Sequence, residues 1–108
     1  LIKRSAKGLM DATIPDEDMK RIIVYLDSLK SRQIEYHSLM TRVAGQRKFI
    51  FFHLLVPGDW TVKHGHDCAD EIEEHIISMF TEPVTVDTHL EPVEDPASMN
   101  DIGIDRIH

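Results

Sequence analysis

The chain has 108 residues, and its 12 Lys plus Arg against 19 Asp plus Glu give a formal net charge of −7 with histidine neutral. One domain of this size buries about two-thirds of the surface its unfolded chain exposes, so a core is reachable without a staple. The acidic balance argues against a general binder of nucleic acid or anionic membrane and favours cations as partners. Cys68 is the only cysteine, so no internal disulfide forms and the chain reads as cytoplasmic.

The first residue is Leu1 and no signal-peptide pattern follows, so the chain reads as a piece of something longer. Residues 1–14 carry Lys3, Arg4 and Lys7 with no acid before Asp11, and look like a connector. Pro15 followed by Asp16, Glu17 and Asp18 predicts a helix start, because proline suits the first turn and acids suit the positive end of the dipole. Met19, Ile22, Ile23, Leu26 and Leu29 or Lys30 keep helical spacing, which fades near Ser31. From Gln33 the runs become β-branched and aromatic, with Ala44-Gly45-Gln46 as the turn of a hairpin. In the second arm Ile50, Phe52, Leu54 and Val56 alternate with Phe49, Phe51, His53 and Leu55. Both faces are largely apolar, so the one left by the helices needs a cover, for which a second copy is the expectation. The stretch Phe49 to Val56 falls far short of the roughly 20 residues that a membrane span needs.

Pro57-Gly58-Asp59 ends that strand, and Thr61 is placed to cap a second helix with an inner stripe of Gly65, Ala69, Ile72, Ile76 and Met79. Its acids Asp67, Asp70, Glu71, Glu73 and Glu74 read as a solvated face. A third strand follows from Val84 to Leu90, with Val84, Val86, Thr88 and Leu90 on one side and Thr85, Asp87, His89 and Glu91 on the other. The element order is αββαβ, an α+β fold of two helices on a three-stranded sheet. Residues 93–108 lack a period and read as a mobile tail.

Seven histidines stand at 37, 53, 64, 66, 75, 89 and 108. His89 and Glu91 leave one strand face about 7 Å apart, close enough to converge on one cation. His37 and His53 occupy the two arms of the hairpin in apolar settings, where a neutral imidazole needs a hydrogen-bond partner or a metal. Taken singly, each of His37, His53 and His89 is better explained as a core histidine bonded to a carbonyl than as a ligand; two of them sharing a site would point to a metal. His66 opens the second helix beside Asp67 and a turn before Asp70. His64, His75 and His108 read as solvated, Cys68 as a small buried hydrophobe, and Trp60 as a candidate contact. No Gly-x-Ser-x-Gly elbow, phosphate loop or Cys-x-x-Cys pair occurs, so a binding module is expected rather than an enzyme.

Four motifs in order then carry a resemblance: His37-Ser-Leu-Met-Thr-Arg42-Val-Ala-Gly45, Phe49-Ile-Phe-Phe-His53-Leu-Leu-Val-Pro-Gly58-Asp59, His66-Asp-Cys-Ala-Asp70-Glu-Ile-Glu73 and His89-Leu-Glu91-Pro92. The chain resembles the cytoplasmic C-terminal domain of cation diffusion facilitator transporters from Leu9 to Pro92. Lys3, Arg4 and Lys7 then fit juxtamembrane charge on the cytoplasmic side.

The resemblance implies a metallochaperone-like, ferredoxin-like αββαβ fold paired as a V-shaped homodimer beneath the membrane domain of the same polypeptide. It implies a connector over 1–14, a regulatory and dimerisation domain over 15–92 and a tail over 93–108. His37, His53, His66, His89 and Glu91 match the family's zinc-binding positions, and Asp87, Cys68 and His64 are additional candidates. Met40 stands where the family often has a basic residue, and His64 where a glutamate completes the capping box. Zn²⁺ is the expected cation, with Cd²⁺, Co²⁺, Ni²⁺, Fe²⁺ and Mn²⁺ open. The alternatives are a pairing domain indifferent to metal and a free-standing soluble metal carrier. Neither nucleic-acid binding nor direct membrane insertion is expected.

Overall fold

Helix α1 (Asp16–Ser28) starts directly after Pro15, with Asp16, Glu17 and Asp18 in its first turn, and continues as a 3₁₀ turn over Leu29–Arg32. The computed structural model describes residues 13–94; the expected connector up to residue 12, the tail from residue 95 and His108 lie outside them. Gln33 closes the turn with φ of 66°. Its N–H donates to Lys30 O at 2.9 Å while that of Ile34 donates to Leu29 O at 3.2 Å, the paired bonds of a Schellman cap in which glycine is the usual residue.

Strands β1 (Glu35–Ala44) and β2 (Arg47–Val56) form the expected hairpin. Gly45 takes φ of 64°, which a tight two-residue connection requires and a side chain would oppose. Thr61 caps α2 (Val62–Ile77), its Oγ1 accepting from the N–H of His64 at 3.0 Å. Strand β3 (Val84–Pro92) pairs parallel to β2, which is antiparallel to β1, so the mixed sheet has the order β1-β2-β3. The ladder runs on to Val93, whose N–H donates to Val56 O at 2.8 Å, and Glu94 accepts from the N–H of Gly58 at 2.9 Å.

Both helices cover one face. Ile22, Leu26 and Leu29 from α1 and the turn after it, and Ala69, Ile72 and Ile76 from α2, join Ile50, Phe52, Leu54, Val84 and Val86 in the core, with Ile14 and Ile34 at its edge. Gly65 lets α2 approach β3 closely, since a Cβ there would meet Leu90 Cδ2 at 2.7 Å. The α2 stripe follows the expectation, with Cys68 added to it and Met79 half-buried beyond the helix end.

The acidic face of α2 is less uniformly solvated than its composition suggests. Glu73 is half-buried and accepts from Thr88 Oγ1 at 2.7 Å, and Glu71 takes a two-pronged contact from Arg32 at 3.2 and 3.3 Å. His75 is exposed as a residue, yet its ring stacks on Tyr25 with centroids 3.9 Å apart, tying α2 to α1. The cause in each case is helix packing, which brings partners from distant sequence onto a face that looks polar throughout.

Ile72 is fully buried, so Ile72→Ala should lower unfolding free energy by about 2–5 kcal/mol in urea titrations. Gln33→Gly should raise it by about 1 kcal/mol, because glycine occupies the left-handed region without a Cβ penalty.

Candidate cation site

The outer face of the sheet, away from the helices, is where the strand histidines meet. The pairing sets His37 opposite His53 and His53 opposite His89, one residue from each strand in a single row. Ring centroids are 4.9 Å apart at both steps. Glu91, two residues beyond His89, sits beside Leu55 in the next row. Its Oε2 lies 3.4 Å from His53 Nδ1 and 3.4 Å from His89 Nε2, longer than the about 2.7–2.9 Å of a charge-assisted hydrogen bond.

Burial falls across the row. His37 is 8% exposed, the Glu91 and His53 side chains are 14% and 26% exposed, and His89 is mostly in solvent. Leu55, buried on this outer face, gives the cluster an apolar neighbour. Two polar atoms here are buried with no hydrogen-bond partner among the described residues, Nε2 of His37 and Oε1 of Glu91. Such groups are costly unless something unseen satisfies them. Donor atoms of His37, His53 and Glu91 lie within 4.8 Å of one another, and imidazole nitrogens with a carboxylate oxygen are the donor set that suits Zn²⁺ and its neighbours. The residues therefore fit a divalent cation. A groove of about 200 Å³ beside them is lined by Ser38, Met40, Phe51, His53, Asp87 and His89 among others, so Asp87 borders the cluster.

The remaining expected ligands are placed elsewhere. His66 is on the exposed side of α2, where it forms a second group with Asp67 and Asp70; its Nδ1 is 3.5 Å from Asp70 Oδ2. Asp67 is held below the usual carboxylate range by its hydrogen bond from Lys63 at 2.9 Å. His64 sits in solvent at the start of α2 with its ring edge-on to Trp60, centroids 4.0 Å apart. Cys68 is buried against the helical side of the sheet, 3.9 Å from an Arg32 nitrogen. Sequence reasoning missed Ser38, whose hydroxyl lies 3.0 Å from His37 Nδ1. No sequence signal marks it, because its position follows from an irregularity in strand pairing.

A three-stranded mixed sheet with both helices on one face is the αββαβ arrangement of a ferredoxin-like domain, here with a nitrogen and oxygen donor cluster on the other face. The profile of the cation efflux protein cytoplasmic domain matches residues 14–93. The chain belongs to that family, the cation diffusion facilitators, as its cytoplasmic domain. A transporter of Synechocystis sp. is 41% identical over 98 residues, 91% of this chain and 31% of that protein. The cation-efflux pump FieF of Shewanella oneidensis is 32% identical over 91 residues, 84% of this chain and 30% of the pump. The chain thus spans about a third of the length of these relatives, a transporter and a cation-efflux pump. Among solved structures, the zinc form of CzrB, a proposed zinc transporter, matches with a TM-score of 0.66 at 37% identity, covering 74% of this chain and 90% of that one. The metal-bound C-terminal domain of CzcD from Thermotoga maritima shares the fold, with a TM-score of 0.61 at 19% identity over 77% of this chain and 99% of that one. Among the described residues no helix is long and apolar enough to cross a membrane.

Burial pushes the Cys68 thiol up from its ordinary value, and burial together with the Glu71 carboxylate does the same to the Tyr25 phenol. The folded state then keeps protons that the unfolded chain has shed, so stability should fall as pH rises through the thiol and phenol ranges. The urea midpoint should decline between about pH 8 and about pH 10.5, and Cys68→Ala should flatten the lower part of that decline.

Proposed function

We propose that this domain is the metal-binding, dimerisation and regulatory part of a divalent-cation efflux transporter, in which cytoplasmic cation, Zn²⁺ first, favours a closed pair of protomers. The observation that carries this reading is the convergence of His37, His53, His89 and Glu91 on one sheet face, with His37 Nε2 and Glu91 Oε1 buried and without a hydrogen-bond partner among the described residues. His37, His53 and Glu91 would hold the ion, with His89 at the exposed rim.

The same face supports pairing with a second copy. Met40 is 62% exposed there, and Phe49 and Phe51 are half-buried and stacked with centroids 6.2 Å apart. Arg42 lies over the Phe49 ring at 4.8 Å, which leaves a mixed aromatic and cationic surface suited to an interface. His66, on the solvent side of α2 in its own chain, would reach such a site from a partner protomer.

The coupling is linkage. A pair that binds cation better when closed shifts toward closure by no more than the differential affinity, on the order of 1–3 kcal/mol in typical allosteric proteins. The membrane part of the same polypeptide would feel that shift through the connector. Affinity order alone does not select the physiological metal, because first-row ions follow one series at most nitrogen and oxygen sites.

Calorimetric titration with Zn²⁺, paired with sedimentation velocity on apo and loaded protein, tests this. Saturable binding with a dimer that becomes more compact is expected. His53→Ala with His89→Ala should remove most specific uptake while the circular dichroism melt stays cooperative, since the core lies on the other face. Affinity should drop steeply from about pH 7.5 to about pH 5.5, because an imidazole must be neutral to ligate. A dimer indifferent to zinc would leave a pairing module whose regulation lies elsewhere.

A further inference from the structure

Between His37 and Met40, β1 carries one residue more than the strand it faces. His37 pairs with His53 and Met40 with Phe51, so Ser38 and Leu39 together oppose Phe52. The extra residue is absorbed at Ser38, which takes φ of 59°. That left-handed conformation opposes a side chain, and bulges that need it commonly use glycine.

What serine offers here, and glycine lacks, is a hydroxyl 3.0 Å from His37 Nδ1. The other ring nitrogen, Nε2, is buried without a hydrogen-bond partner among the described residues. A neutral imidazole carries one proton, and the group bonded to one nitrogen decides the state of the other. A proton on Nε2 would leave a buried N–H unpaired, the rarer and costlier orphan. With the proton on Nδ1, that N–H donates a hydrogen bond to Ser38 Oγ and Nε2 is left as a bare lone pair.

We propose that Ser38 is a positioning residue for the cation site: its hydroxyl accepts the Nδ1–H of His37, fixes the ring and its tautomer, and presents Nε2 as a ready donor. The proposal rests on the cation reading given above. Histidine ligands generally donate their second ring N–H to a neighbouring acceptor, which orients the ring and raises its basicity. In this chain the acceptor is supplied by the bulge, one residue away in sequence. The strained φ is then retained because the residue that relieves it has no hydroxyl.

Ser38→Gly separates this role from a structural one, because its two effects have opposite signs. Glycine relaxes the bulge, so the melting temperature should hold or rise, while zinc affinity should fall about tenfold or more. Ser38→Asn tolerates the left-handed region and keeps a side-chain acceptor, so it should restore affinity to within about threefold of the parent. In the apo protein, long-range ¹H–¹⁵N correlation spectra should show His37 protonated on Nδ1, and Ser38→Gly should shift that signature. Unchanged zinc affinity in Ser38→Gly alongside lost affinity in His53→Ala would overturn the role of Ser38 and leave the cation site standing. Unchanged affinity in His53→Ala would sink the cation reading itself. A proton found on Nε2 of His37 in the apo protein overturns the proposal whatever zinc does.

Discussion

Strand β2 is hydrogen-bonded along both edges, antiparallel to β1 and parallel to β3, and every other feature of the domain follows from that double pairing. Side chains alternate along a strand, so a given register fixes which residues from three separate segments share a face and a row. Here it sets His37, His53 and His89 abreast and puts Ile50 beside Val86 on the opposite face. A slip of one residue in either ladder would exchange the histidine row for the core. The apolar core therefore enforces the polar site, since any register that buries Ile50, Phe52 and Leu54 must turn His53 outward.

The two faces divide the physical work. On the inner face the helices bury Ile22, Leu26, Ile72 and Ile76, and the Glu73 to Thr88 hydrogen bond fastens α2 to β3 directly behind His89. Arg32 with Glu71 and the stacked Tyr25 and His75 rings join the helical layer across its surface. These polar links are half-exposed and screened, so they locate the helices more than they stabilise them. On the outer face nothing from the same chain covers the sheet among the described residues, so its aromatic, cationic and imidazole side chains form the surface that the proposed cation and second copy would use.

The pairing of the described strands is irregular between His37 and Met40. Without the bulge at Ser38, strict alternation from His37 would set Leu39 and Val43 on the histidine face. With it, Met40 and Arg42 point outward opposite Phe51 and Phe49, while Leu39 and Val43 pack against the core. One extra residue thus lets β1 serve both the core and the site, and supplies the hydroxyl next to His37. Keeping the apolar core and the donor cluster on separate faces of one sheet leaves the fold independent of whatever the cluster holds.

Much of this was legible in the sequence. Periodicity, the Pro15 and Thr61 helix starts and the Gly45 turn determined the element order and the buried stripes, because those signals are local and obey the 3.6 and 2.0 periods of the chain. The four motifs pointed to the family and singled out His37, His53, His66, His89 and Glu91 together, without separating His66 from the rest. Strand register, the left-handed Ser38, the burial of Leu55 and the separation of His66 from the sheet histidines were decided only by the tertiary structure. Each depends on which residue of a distant strand or helix comes alongside, and that is set by packing the whole core at once rather than by any stretch of chain alone.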